Sequence, residues 1–219
     1  MTLQLFAHPF SSYCQKVLTA LYENDTPFKF RMLGLGEDEN GAEFAALSPM
    51  QRMPLLVDKG RAVFESSIVI EYLDLHYPGP VQLLPRDGDA ALEVRKMDRV
   101  FDNYVMTPMQ TIVFDFIRPP ELRDAHGVTR ARSMLDTAYV WLDGLMATRP
   151  WAAGDHFSLA DCAAAPSLFY ADWVHPIPEW LGNLRAYRAR LLARPSFARA
   201  VDEGRPYRSY FPPGAPDRD

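Results

Sequence analysis

A Pro78-Gly79-Pro80 break divides the chain into two stretches with different hydrophobic periods, and this change limits the fold more than any other feature. Before the break, strand and helix signals alternate. Thr2-Leu3-Gln4-Leu5-Phe6 is short, apolar and β-prone, and His8-Pro9 ends it. Ser11 or Ser12 can cap a helix running to about Asn24, with Val17, Leu18 and Leu21 on its apolar face. Pro27 to Leu33 reads as a second strand, and Gly34 to Gly41 as irregular or a poor helix. Leu55-Leu56-Val57 and Ala62-Val63-Phe64 flank a Lys59-Gly60 turn, and a helix is expected from Ser66 to about His76. The order is βαβ followed by ββα.

After the break every pattern is helical. One long pattern runs from about Ala90 to Phe116, interrupted by Pro108, which is expected to kink or break it. Ala131, Leu135, Ala138, Leu142 and Leu145 share one helix face. Ser158-Leu159-Ala160-Asp161 has the spacing of a capping box. The helix it opens is apolar nearly all round, so it is the expected centre of this part. Leu184, Tyr187 and Leu191 mark another helix, and Pro195-Ser196 opens a last short one. The chain therefore divides into an α/β part, residues 1–78, an all-helical part, residues 86–204, and an irregular tail, residues 205–219. The aromatics of that tail suggest that part of it lies on the protein surface.

Several function classes drop out on composition. The net charge of −5 lacks the basic excess of a protein that tracks phosphate backbones, so no nucleic-acid partner is expected. No apolar run approaches the roughly 18 residues of a membrane span, and the N-terminus lacks the basic, then apolar, pattern of a secretory leader. A cytoplasmic protein with no membrane partner is expected. Cys14 and Cys162 lie far apart, and with five dispersed histidines they form no metal-ligand spacing, so no metal is expected.

Four segments carry a family resemblance. Pro9-Phe10-Ser11-Ser12-Tyr13-Cys14-Gln15-Lys16-Val17 resembles the active-site turn of serine-type cytosolic glutathione S-transferases, and the chain looks like a bacterial member. Ser48-Pro49-Met50-Gln51-Arg52-Met53-Pro54 resembles the family's N-P-x-G-K-V-P segment, with Gln51 in place of Gly and Ser48 in place of Asn. Glu65-Ser66-Ser67-Ile68-Val69-Ile70-Glu71-Tyr72-Leu73 resembles its E-S-x-x-I-x-x-Y-L anchor, and Gly154 to Asp161 its helical-domain capping box. The resemblance implies a thioredoxin-like N-terminal domain, an all-helical C-terminal domain and a homodimer. It also implies glutathione as co-substrate, without a bound cofactor, in detoxifying conjugation to a small hydrophobic electrophile.

The chemistry of glutathione gives each candidate residue a task. The tripeptide carries two carboxylates, an ammonium and a weakly nucleophilic thiol. A helix N-terminus can lower a thiol pKa from about 8.5 into the range of about 3.5–7.5. Ser11, at an expected helix start, can add a hydroxyl donor, and the resemblance makes it the catalytic residue. Ser12, Tyr13 and Cys14 stand as alternatives, and an N-cap alone is the plain structural reading. Phe6 occupies the place of the tyrosine used by tyrosine-type relatives, which argues against that mechanism. By resemblance the Met53–Pro54 bond is cis, which lets the Met53 backbone pair with an extended peptide. Glu65 is matched to the ammonium, Ser66 to a carboxylate at a helix start, and Arg52 to the glycine carboxylate. Phe10, Tyr104, Met109, Phe114 and Trp173 are the candidates for an apolar second-substrate pocket. Asp98 or Asp102 would either reach across a dimer to the ammonium or stand on a solvated helix face. Two other functions remain open at this stage. One is a maleylacetoacetate-type isomerase, whose Ser pair matches Ser11-Ser12 but whose following Cys is Tyr13 here. The other is a non-catalytic ligand-binding protein on the same fold.

Overall fold

The computed structural model describes residues 3–34 and 39–219. Its N-terminal part is built on a four-stranded sheet of order β2-β1-β3-β4. Strand β1 (Leu3–Ala7) pairs in parallel with β2 (Phe28–Met32) through the crossover helix α1 (Ser12–Glu23). The hairpin of β3 (Leu55–Asp58) and β4 (Arg61–Phe64) joins antiparallel on the other side of β1. Its turn places Lys59 at φ 50° and Gly60 at φ 86°, the left-handed pair that a two-residue hairpin requires.

Alternation along the strands supplies two apolar faces. Leu5 and Leu56 point with Val17, Leu18, Leu21 and Ile70 into the main core, beneath α1 and α3 (Ser66–His76). Phe6, Leu55 and Val57 point the other way, against Leu33 and Phe44. Phe44 belongs to α2 (Glu39–Leu47), a helix that starts inside the stretch expected to be irregular or a poor helix and runs beyond it. Residues 35–38 of that stretch lie outside the described residues. Phe44 is the one buried residue of α2, which explains why the sequence shows no helical period there.

The helical part begins with α4 (Gly88–Val100), a π turn (Phe101–Met106) and α5 (Thr107–Ile117), which follow one another without a break. The expected break at Pro108 takes this form for a physical reason. Proline has no N–H, and its ring would collide with the carbonyl four residues back. The wide turn solves this by letting the Thr107 N–H reach the Asp102 carbonyl, five residues back. The Thr107 hydroxyl donates to the same carbonyl at 2.9 Å. Helices α6 (Ala125–Met146), α7 (Leu159–Val174), α8 (Gly182–Leu192) and α9 (Pro195–Gly204) complete the domain. As expected, α7 is central: every residue from Leu159 to Asp172 is buried. The tail is more ordered than its sequence suggests. Residues Arg205–Tyr210 form a 3-10 turn, and Phe211 packs on Trp173 at 5.1 Å between ring centroids. Asp219 then pairs with Arg205 at 2.6 Å and Arg208 at 3.0 Å.

The two domains meet at a buried ion cluster. Lys16 of α1 is 1% exposed. Its ammonium contacts Asp98 at 2.6 Å and Asp102 at 2.9 Å. It also donates to the Ser67 hydroxyl at 2.9 Å, and that hydroxyl donates to Asp98 at 2.9 Å. Arg99 bridges both acids from the outside, at 2.6 and 2.8 Å.

The capping box is present, and the structure gives its acid more work than the motif requires. Asp161 accepts from the Ser158 N–H at 2.9 Å, the Ala152 N–H at 2.9 Å and the Tyr187 hydroxyl at 2.6 Å. Asp161→Ala is therefore expected to cost about 3 kcal/mol, because each orphaned buried donor costs about 1–3 kcal/mol. Urea unfolding measures this loss, and activity per folded molecule stays unchanged. Lys16→Met leaves Asp98 and Asp102 buried without their internal cation. The expected loss is about 3–5 kcal/mol, read as a lower unfolding midpoint. A midpoint equal to that of the native protein would show that Arg99 alone compensates the two carboxylates.

Candidate functional site

A cleft of about 700 Å³ opens between the domains. Its floor is formed by the N-terminal ends of α1 and α3. One wall is the segment from Ser48 to Pro54, and the other carries Arg99, Asp102, Asn103, Gln110 and Phe114.

Ser11 is the residue before α1, with the extended backbone of an N-cap and φ −81°. Its carbonyl accepts the Gln15 N–H at 2.8 Å, but its side chain makes no cap hydrogen bond. Among the described residues, the N–H groups of Ser12, Tyr13 and Cys14 also have no acceptor. The turn that presents Ser11 is fixed from behind. The Ser11 N–H donates to the His8 carbonyl at 3.0 Å, and the Phe10 N–H donates to His8 Nδ1 at 3.1 Å.

The alternatives to Ser11 separate here. Ser12 and Tyr13 line the cleft beside Ser11. Cys14 is fully buried, and burial pushes its thiol up to about 11 despite a hydrogen bond from Ser11. Burial, and then the Asp102 carboxylate, push the Tyr13 phenol up to about 12, so at neutral pH it is a donor rather than an anion. Phe6 is buried in the second core cluster and offers no polar group.

The opposite wall presents backbone. The Met53–Pro54 bond is cis, as the resemblance implies. Among the described residues, neither the N–H nor the carbonyl of Met53 has a backbone partner. Gln51 stands at φ 47°, the left-handed region that glycine enters freely. This is the position where the family segment has Gly, and here a side chain is tolerated because Gln51 is exposed. Arg52 is exposed and lines the cleft without an ion pair among the described residues.

At the third side, the chain turns from β4 into α3 through Glu65, held at φ 69°. Such a conformation costs a non-glycine residue about 1–3 kcal/mol and persists where the surroundings enforce it. It points the exposed Glu65 carboxylate into the cleft and leaves the first amides of α3 open. Ser66, Ser67 and Ile68 have no acceptor for their N–H groups among the described residues. Two helix N-termini thus face one cleft, and each carries the positive end of a helix dipole.

The five candidates for an apolar pocket are not brought together. Phe114 lines the cleft. Met109 is 4% exposed and belongs to the core. Tyr104 faces a separate apolar groove with Val100, Met134 and Trp141. Phe10 and Trp173 pack 6.3 Å apart in the aromatic cluster that Phe211 closes. At about 100° per residue, positions 104, 109 and 114 cannot share a helix face. Asn103 and Gln110 share the face of Phe114, and neither carboxamide has a partner among the described residues. Selecting by apolar type passed over them; selecting by helical spacing from Phe114 finds them. Asp98 and Asp102 also differ from expectation. At 2% and 6% exposed they are not on a solvated face, and both are paired within their own chain. Burial pushes the Asp102 carboxyl up, against the pull of Lys16.

Comparison with known proteins follows the same division of the chain. Residues 5–81 match the family model of the glutathione S-transferase N-terminal domain, and residues 125–190 that of the C-terminal domain. A glutathione S-transferase of Methylobacterium radiotolerans, solved in complex with glutathione sulfonate, is similar with a TM-score of 0.79 and 29% identity over 92% of this chain and 95% of that one. Glutathione S-transferase GstB of Escherichia coli K12 is 27% identical over 198 residues, 87% of this chain and 93% of the relative. A Vibrio cholerae protein named "Probable maleylacetoacetate isomerase" is 26% identical over 213 residues, 94% of this chain and 98% of the relative. Both domain models are matched in order on a thioredoxin-like domain and a helical domain, so the chain belongs to the glutathione S-transferase family of enzymes.

Proposed function

We propose that this chain is a serine-type glutathione transferase that joins the glutathione thiolate to small, largely apolar electrophiles. The observation that carries the reading is the Ser11 hydroxyl, uncommitted to a cap at the open end of α1, in one cleft with Met53, Arg52, Glu65 and Ser66. Glutathione binds extended, its backbone pairing with the free N–H and carbonyl of Met53 beside Pro54. Arg52 takes the glycine carboxylate. Glu65 takes the ammonium, and Ser66 with the α3 amides takes the carboxylate on the same carbon. The sulfur then lies at Ser11. The α1 dipole and the Ser11 hydroxyl favour thiolate over thiol, so the proton leaves to solvent before attack. The thiolate forms a carbon–sulfur bond at the electrophile. A leaving group departs with its electron pair, or a conjugated double bond takes the pair and is then protonated. Phe114 offers the acceptor an apolar surface, and Asn103 and Gln110 offer it hydrogen bonds.

A cytoplasmic, detoxifying homodimer completes this reading, and the exposed groove of Tyr104 and Trp141 is in keeping with self-association. The relation to the Vibrio cholerae protein favours one second reading, an isomerase in which thiolate adds to a cis double bond and leaves again after rotation. Assay of a chloronitroarene, an enone and maleylacetoacetate separates the two. Conjugation consumes glutathione, whereas isomerisation returns it.

Ser11→Ala is expected to lower the conjugation rate by about 100-fold, the usual loss of one donor to a developing or resident anion. The ultraviolet titration of bound thiolate would move to higher pH. An unchanged rate and titration would reduce Ser11 to a helix cap and shift the role to Ser12 or Tyr13. Ser66→Ala removes one charge-assisted bond worth about 1.5–3 kcal/mol. Calorimetry is expected to show glutathione binding weakened by about 10- to 150-fold, with little change in that titration.

A further inference from the structure

We propose that Arg99, a residue of the helical domain, completes the glutathione site by binding the α-carboxylate of the γ-glutamyl residue. The inference rests on the glutathione reading above and adds a residue that the sequence did not suggest.

The argument starts from which end of the tripeptide lies there. Only one carbon of glutathione carries both an ammonium and a carboxylate, the α-carbon of the γ-glutamyl residue. Glu65 and Ser66 stand side by side at the α3 N-terminus and suit that pair of charges. Arg99 reaches the same place from the other domain. Its Nη2 touches the hydroxyl of Ser67, the neighbour of Ser66, and its side chain lines the same cleft.

The guanidinium is held but not used up. Nε and Nη2 donate to Asp98 at 3.0 and 2.6 Å, and Nη2 also donates to Asp102 at 2.8 Å. Nη1 has no partner among the described residues, and the side chain is 52% exposed. A planar fork fixed along one edge keeps its other donors aimed and loses little freedom on binding. The two carboxylates behind it do not repel an arriving third. Lys16 and Arg99 together match the formal charge of Asp98 and Asp102, and Lys16 is in contact with both acids. The charge presented to the cleft is therefore the free edge of Arg99.

Three tripeptides and two variants test this. The probes are glutathione and γ-aminobutyryl-cysteinyl-glycine, which lacks only the α-carboxylate and keeps the ammonium; γ-glutaryl-cysteinyl-glycine, which keeps the carboxylate and lacks the ammonium, is the control. Binding of all three is measured by calorimetry to the native protein, Arg99→Gln and Arg99→Lys. The native protein is expected to prefer glutathione over the decarboxylated probe. Arg99→Gln is expected to weaken glutathione and the control by about 10- to 150-fold, as for loss of a charge-assisted bond, and to leave the decarboxylated probe nearly unchanged. With a chloronitroarene as acceptor, KM for glutathione rises and kcat at saturation stays. Arg99→Lys restores part of the loss.

Equal weakening of all three probes would mean that Arg99 acts by shaping the cleft, and the inference falls. No weakening overturns it as well. If Arg99→Gln does not fold, Arg99→Lys and the native preference decide, and a native protein indifferent to the α-carboxylate overturns it without any variant. A native protein that binds none of the tripeptides removes the glutathione reading itself, a result distinct from these.

Discussion

The buried ammonium of Lys16 is the constraint on which the site geometry depends. Apolar surfaces alone would let two domains settle at several angles, since hydrophobic contact is not directional. An ammonium with almost no access to water accepts few arrangements, because it must keep its partners at hydrogen-bond distance. Lys16 finds one partner on α3 and two on the helical domain, Ser67, Asp98 and Asp102. Such a cluster adds little net stability over a well-packed apolar one. Its effect is registry: it sets where the α4–α5 wall stands relative to the ends of α1 and α3.

The same residues belong to the joint and border the site. Ser66 and Ser67 are adjacent in the first turn of α3; Ser66 lines the cleft, and Ser67 is bonded into the ion cluster. Lys16 lies one turn beyond the Ser12 and Tyr13 that line the cleft, and Asp102 is both a partner of Lys16 and part of the cleft wall. A shift of the domains would therefore move the wall and disturb the helix ends at once. The strained Glu65 fits this economy. Its positive φ lets the chain leave β4 and start α3 with its amides open, and the packing of both elements on the core holds it there.

How much of this the sequence shows depends on the physical range of each feature. Local rules reached the local features. The strand periods, the Lys59-Gly60 turn, the start of α3 at Ser66 and the Ser158–Asp161 box each rest on residues a few positions apart. The residues proposed to hold glutathione were legible only through resemblance, because nothing in the composition of Arg52-Met53-Pro54 marks a free backbone edge. Three features were not legible. Helix α2 buries one residue and so lacks a period. The acidic partners of Lys16 lie 82 and 86 positions away, beyond any local pattern. The π turn is a response to Pro108, and proline in a helix signals a disturbance without saying whether it becomes a kink, a break or a wider turn.

That last feature bears on what the enzyme accepts. The fold and the glutathione end do not fix the second substrate, since one fold serves many acceptors. In the proposed reaction, the acceptor meets the wall that follows the π turn. There Asn103 sits within the turn, and Gln110 and Phe114 sit on the helix that Pro108 restarts. The wide turn lets these three line one cleft, while Tyr104 faces away and Met109 enters the core. The result is a wall of mixed character, apolar at Phe114 and carrying unpaired carboxamides before it. An acceptor that lies flat on the ring while an oxygen takes a carboxamide hydrogen fills this wall better than a hydrocarbon, which would leave both amides without water or partner.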